Sequence, residues 1–285
     1  MRFLIYGAGW IGTQFTTFLN QKGIQYTVGS SRVDNVADLQ QELDRVTPTH
    51  VFSLIGRTSG VHNGKGYGTI DFLEQPGNLT LNVRDNLFSP LVLAILCKER
   101  GVHFTYLGTG CIFDYTDNHP DPYNEEDLPN FTGSSYSTVK GYTDRLMHLF
   151  EDTVLNLRIR MPITNQDNPR NFISKIIRYD KICSIPNSMT VLDTFFPVWL
   201  EMIVNNVTGT FNCTNPGVIS HNEILEMYRD LVDSDFAWKN FTIKEQNQIL
   251  DSKRSNNHLE TSKMKKYNIP NIHTAVYDVL KNWNS

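Results

Sequence analysis

Over residues 1 to 160, short apolar runs alternate with longer stretches whose apolar positions recur at helical spacing. Phe3–Tyr6, Gln25–Val28, His50–Ile55, His103–Leu107 and Val154–Ile159 read as strands. Ile11–Lys22, a polar stretch ending near Arg45, Asn82–Arg100 and Ser134–Phe150 read as the intervening helices, with Leu87, Leu91, Ile95 and Leu96 on one stripe. The strand from His103 is expected to continue through Thr109 and Cys111. Glycine-rich 56–68 and the Pro/Asp/Asn-rich 114–133 read as long loops, and such loops over a sheet edge are often functional. Strands alternating with helices predict an α/β fold with a doubly wound parallel sheet.

After Met161-Pro162 the pattern changes to short helices and strands broken by Asn-Pro and Ile-Pro steps. Ser220-His-Asn-Glu223 ahead of an apolar-periodic stretch is a capping box. The expected organisation is a Rossmann-type dinucleotide-binding domain over 1–160 and a smaller substrate domain over 161–285. A segment near 190–211 is expected to return to the first sheet.

Composition narrows the class. A net charge of −4 gives no reason to expect a nucleic acid or an anionic membrane surface as partner. The four cysteines Cys97, Cys111, Cys183 and Cys213 show no metal spacing, which argues for a reducing compartment. No leader is read at the N-terminus and no apolar run of membrane-spanning length, so the expected location is cytoplasmic and the Asn-x-Ser/Thr sequons count as chance.

Candidate chemistry begins at Gly7-Ala-Gly9-Trp10-Ile11-Gly12, which follows a strand and opens a helix. There the glycines let the backbone turn tightly and approach a pyrophosphate, whose charge meets the helix N-terminus. Where an acidic residue would bind a ribose 2′-hydroxyl, this chain has Ser30, Ser31 and Arg32, which suit a 2′-phosphate and favour NADPH over NADH. Tyr136 and Lys140 are four apart on a helix, so the ammonium can favour the phenolate and bring the phenol down from about 10. Tyr136 can then protonate the oxygen of a ketone receiving hydride, Thr109 can hydrogen-bond the same oxygen, and Cys111 is expected on the Thr109 face of an extended strand.

These motifs together resemble the extended short-chain dehydrogenase/reductases acting on nucleotide sugars. Leu107-Gly-Thr-Gly-Cys-Ile-Phe113 is similar to the segment of GDP-fucose synthase in which a cysteine two residues past the catalytic hydroxyl works as an acid/base. The dehydratases of the family carry Asp-Glu after the threonine; this chain has Gly110-Cys111. Arg160–Ile163, Asn168–Ile173, Ile185–Met189, Asn215–Leu225 and Arg254–Asn257 resemble the nucleotide-rhamnose synthase/epimerase-reductases of plants and a giant virus. The loop after Gly56 departs from them by its length and glycine content.

The resemblance implies a 3,5-epimerase/4-reductase that turns UDP-4-keto-6-deoxy-D-glucose into UDP-L-rhamnose. It makes Lys175 the second acid/base, with its proton affinity lowered by burial or by neighbours such as Arg178. It places Pro162 and Ile163 by the nicotinamide, Arg254 on the diphosphate, Asn171 and Asn256 against the substrate, and Asn86 as a structural asparagine. It also implies a separate 4,6-dehydratase to supply the ketosugar, and a homodimer through the helices near Asn82 and Ser134. A 4-reductase without epimerase activity and a non-catalytic NADP-binding subunit are the alternatives.

Overall fold

The computed structural model describes residues 1–283 and divides into two compact units. The first comprises Met1–Thr109, Ser135–Arg158 and Phe196–Phe211; the second comprises Gly110–Ser134, Ile159–Phe195 and the chain from Asn212. Residues 110–134 therefore group with the second unit, apart from the rest of the span 1–160.

The chain runs β1 (Phe3–Tyr6), α1 (Trp10–Gln21), β2 (Tyr26–Val28), α2 (Val36–Val46) and β3 (His50–Ser53). A hairpin follows, β4 (Gly60–His62) and β5 (Lys65–Tyr67), then a 3-10 turn at Ile70–Glu74. Next come α3 (Leu79–Val83), a π turn (Arg84–Phe88), α4 (Ser89–Glu99), β6 (His103–Thr109), α5 (Ser135–His148) and β7 (Val154–Ile159). The remainder is β8 (Pro162–Ile163), α6 (Phe172–Ile176), β9 (Thr190–Val191), α7 (Leu192–Val204), β10 (Gly209–Asn212), α8 (His221–Leu231), α9 (Ile243–Ile249) and α10 (Ile272–Lys281).

Six strands form one sheet in the order β10-β7-β6-β3-β1-β2, with β1 parallel to both β2 and β3 and β3 parallel to β6. The chain winds outward to β2 and then back across β1 to β3, which makes the β1/β3 gap the topological switch point. Ligands of such sheets bind outside the carboxyl ends of the strands at that point. One face is covered by α2, α4 and α5 through Leu39, Leu43, Val92, Leu93, Leu96 and Met147. The other carries an aromatic cluster in which Phe15 meets Phe52 at 5.1 Å and Phe196 at 5.6 Å. The second unit has its own core, centred on Ile163, Ile173, Met189, Ile224 and Val276.

Two elements differ from the pattern reading. Residues 56–68 hold the β4/β5 hairpin, closed by Asn63 and Gly64, both at positive φ (49° and 78°). Asn-Gly is the pair a type I′ turn favours, because both central residues must be left-handed. The helix near Asn82 contains the π turn because Pro90 has no N–H to give the Asn86 carbonyl; Thr143 Oγ1 of α5 bonds that carbonyl at 2.7 Å instead. The extra residue rotates the stripe, so Ile95 is 39% exposed while Val92 and Leu93 are buried.

This run, Leu79–Glu99, is also long and apolar enough by length and composition to cross a membrane, contrary to the expectation of no such run. Its burial against the sheet through Leu93, Ala94, Leu96 and Cys97 is what a core helix shows. His50 and His103 are buried at the amino ends of β3 and β6 with ring centroids 5.4 Å apart.

Candidate active site

The glycine loop occupies the carboxyl end of β1, and its three glycines answer to different demands. Gly7 has φ +100°, and a Cβ there would lie 2.6 Å from the Leu54 carbonyl carbon. On Gly12 a Cβ would meet the Gly7 oxygen at 1.9 Å, so both are required by the backbone itself. Gly9, the N-cap of α1, is exposed and has nothing within 4 Å of its missing side chain. An open approach to a helix N-terminus fits the pyrophosphate of a dinucleotide, and Trp10 and Ile11 follow as its first helical residues. Gly12→Ala should therefore destabilise the fold by about 3 kcal/mol or more through overpacking. Gly9→Ala should leave thermal unfolding unchanged and weaken NADP⁺ binding roughly tenfold, the worth of a lost charge-assisted contact. Calorimetry of both variants checks the contrast.

Past β2 the loop is tied down by a residue the motif reading missed. Glu42 of α2, buried, accepts from Ser30 N at 2.8 Å, Ser30 Oγ at 2.7 Å, Ser31 N at 3.0 Å and Tyr6 Oη at 2.8 Å. Burial alone would raise this carboxyl, but those donors hold it down at about 2. Ser31 Oγ donates to the Asp38 carbonyl at 3.2 Å. Both serine hydroxyls, read from sequence as phosphate donors, are thus engaged within the chain. Arg32 is left as the presented group, 66% exposed and paired with Asp34.

Tyr136 is placed by the N-terminus of α5. Glu74 accepts from Ser135 N at 2.8 Å and from Ser135 Oγ at 2.9 Å, a carboxylate at the positive end of the helix dipole. Farther along, Asp144 takes a bidentate pair from buried Arg158 at 2.8 and 2.7 Å, which fixes the helix against β7. Lys140, buried one turn past Tyr136, donates to Tyr106 Oη and to the Leu107 carbonyl at 3.3 Å. Burial pushes Tyr106 well above the ordinary range, with Tyr136 and Asp144 adding to it. Tyr106 therefore stays a neutral phenol. Thr109, buried, ends β6 in the same unit.

The strand stops there: Cys111 lies in the following turn, half-buried, so the expected shared strand face with Thr109 does not form. In the second unit that turn is held from behind by Arg160, a fully buried cation. Its guanidinium donates to the Gly110 carbonyl at 3.2 Å, to Ser255 Oγ at 2.9 Å and to Asn187 Oδ1 at 2.7 Å. Burial lowers the Arg160 proton affinity, and Cys111 is first among the groups that act to restore it. Asn257 Nδ2 adds bonds to the carbonyls of Gly110 and Phe113, both at 2.9 Å. A Cβ on Gly110 would meet Leu259 at 2.4 Å, which explains the glycine between the two chemical residues.

Lys175 sits half-buried on α6, whose N-cap is Asn171. Burial lowers it to about 8, with help from the charges of Arg170 and Arg254. Arg178, the neighbour expected from sequence, instead bonds Asp167 at 2.5 Å and the Ser174 carbonyl. Two expected substrate contacts are framework: Asn171 is buried and bonds the carbonyls of Thr164 and Gln166, at 2.8 and 2.7 Å. Asn256 is buried too, bonding Asn187 at 2.9 Å and the Arg254 carbonyl. Arg254 donates to Ser252 and is half-buried. Pro162 and Ile163 form β8 beside β9, after Met161 at a strained φ of 41°. Asn86 bridges Arg57, accepting from its N–H at 3.0 Å and donating to its carbonyl at 2.9 Å, a structural asparagine as read.

The chain is similar over its whole length to the L780 UDP-rhamnose synthase of Acanthamoeba polyphaga mimivirus, at 49% identity and a TM-score of 0.95, covering 99% of each chain. It is 45% identical to the bifunctional dTDP-4-dehydrorhamnose 3,5-epimerase/dTDP-4-dehydrorhamnose reductase of Arabidopsis thaliana, over 92% of this chain and 86% of that one. The plant's trifunctional UDP-glucose 4,6-dehydratase/UDP-4-keto-6-deoxy-D-glucose 3,5-epimerase/UDP-4-keto-L-rhamnose-reductase RHM1 is also 45% identical over 93% of this chain, which spans 39% of that protein. Residues 3–179, from β1 through the glycine loop, the Tyr136 helix and Lys175, match a single family description. With that match covering more than half its length, the chain belongs to the NAD dependent epimerase/dehydratase family.

Proposed function

We propose that this enzyme converts UDP-4-keto-6-deoxy-D-glucose to UDP-L-rhamnose by 3,5-epimerisation and 4-reduction, with NADPH as reductant. The carrying observation is the end-to-end likeness to the L780 UDP-rhamnose synthase. A ketone at C4 acidifies the C–H bonds at C3 and C5. The hydroxyls of Thr109 and Tyr136 hold the oxygen on which negative charge develops. Cys111, as thiolate, takes the proton from carbon, and the Lys175 ammonium delivers one to the opposite side, so the centre inverts. Both groups then re-exchange with solvent. NADPH, when bound, supplies the hydride that reduces C4. Tyr136 gives its proton to the resulting alkoxide, and Lys140 favours the phenolate left behind.

Assigning delivery to Lys175 follows from its charge. With its value at about 8, it carries a proton at neutral pH. Epimerisation should then decline as pH rises through about 8, well before an ordinary lysine would titrate near 10.4. Lys175→Arg, whose guanidinium keeps its proton across this range, should lose that decline; a decline that persists in the variant would take the delivering role from Lys175.

The test is NADPH oxidation with UDP-4-keto-6-deoxyglucose in deuterated water, with NMR of the product. Rhamnose deuterated at C3 and C5 supports the reading. Reduction without deuterium leaves a simple reductase, and no turnover with the ketosugar refutes it. We further propose a separate 4,6-dehydratase as supplier, a cytoplasmic setting, and a homodimer. Leu79, Val83, Phe88, Tyr142 and Leu149, exposed on α3, the π turn, α5 and just beyond it, support the last.

A further inference from the structure

The loops after β2 and β3 and the π turn carry three arginines and two aspartates paired in series. Arg32 donates to Asp34 Oδ2 at 2.9 Å, and Arg84 reaches the same oxygen at 3.9 Å. Arg84 also pairs with Asp85 at 2.7 Å, and Asp85 pairs with Arg57. Three positive charges against two negative leave one positive charge over.

Their position is the switch point of the sheet. Arg32 follows the end of β2 and Arg57 the end of β3, on either side of the glycine loop after β1. Asn86 joins the Arg57 backbone to the π turn through two hydrogen bonds. Pro90 is the reason Arg84 and Asp85 stand where they do, since it forces the bulge that presents them. π bulges of this kind recur at functional sites.

Asp34 Oδ2 lies between two guanidiniums, which is the place a phosphate oxygen takes between arginines. We propose that Arg84 together with Arg32 forms the site for the 2′-phosphate of NADPH, with Asp34 as an internal competitor for the same two guanidiniums. Arg57 and Asp85 are positioning residues that hold Arg84. A phosphate carries more charge and more acceptor oxygens than one carboxylate, so it wins the exchange, and Asp34 sets by how much. The inference rests on the NADPH reading above.

Isothermal titration of the full chain with NADP⁺, NAD⁺ and 2′,5′-ADP tests it in three proteins: wild type, Arg84→Gln and Asp34→Asn. Arg84→Gln should weaken NADP⁺ and 2′,5′-ADP about tenfold, the value of one charge-assisted contact, and leave NAD⁺ unchanged. Asp34→Asn should tighten NADP⁺ and 2′,5′-ADP, a gain that damage to the fold does not produce. Equal loss of both dinucleotides in Arg84→Gln, or weaker NADP⁺ binding in Asp34→Asn, makes the network a brace and overturns the proposal. Wild type that binds NADP⁺ no better than NAD⁺ overturns the NADPH reading itself, on a separate measurement.

Discussion

Tyr136→Phe should slow reduction of the 4-keto group by about 10²–10⁴-fold, the usual worth of a positioned general acid. The substitution removes one hydroxyl and leaves the ring. The start of α5 stays in place because Glu74 holds the backbone and side chain of Ser135, not Tyr136. Lys140 also stays, since its bonds to Tyr106 Oη and the Leu107 carbonyl come from β6. NADP⁺ affinity should therefore be unchanged, and single-turnover NADPH oxidation isolates the chemical step. Exchange of the C3 and C5 protons should fall less than reduction, because Thr109 still holds the ketone oxygen. A variant that reduces within a few-fold of wild type would remove Tyr136 from the acid role. One that loses cofactor binding as well would make it structural.

The sheet was readable because its strands are short apolar runs between helices of clear period. The hairpin inside 56–68 was equally legible in principle: Asn63-Gly64 is a turn signal, hidden by the density of neighbouring glycines. The π turn was not. Pro90 announces a missing donor, but only the tertiary partner, Thr143, decides that the helix continues with a bulge instead of ending.

The site divides the same way. Tyr136, Lys140 and the glycines follow local spacing and could be found from sequence. Glu42 and Arg160 act over separations of 12 and 50 residues, on Ser30 and Gly110, and no local pattern marks such pairs. Ser30, Ser31, Asn171 and Asn256, expected as ligand contacts, have side chains bonded within the chain. Ser31, Asn171 and Asn256 bond backbone carbonyls close by, as small polar side chains do, and Ser30 Oγ bonds the Glu42 carboxylate.

Cys111→Ser should abolish deuterium incorporation at C3 and C5, or slow it by about 10²–10⁴-fold, while reduction of an already epimerised 4-ketosugar continues. A serine hydroxyl has nearly the shape of the thiol but does not ionise near neutral pH, so it cannot take a proton from carbon. The turn should tolerate the change, because the Gly110 and Phe113 carbonyls anchor it, bonded by Arg160 and Asn257. The reducing groups Thr109, Tyr136 and Lys140 belong to the other compact unit and keep their own supports. The two activities should therefore come apart in one variant, with NMR of the product in deuterated water reporting exchange and NADPH absorbance reporting reduction. Loss of both would tie Cys111 to the carbonyl-binding step, and undiminished exchange would pass the proton to another residue. Separation of the two is what a bifunctional enzyme with one carbonyl-holding pair requires, since epimerisation needs a base that hydride transfer does not.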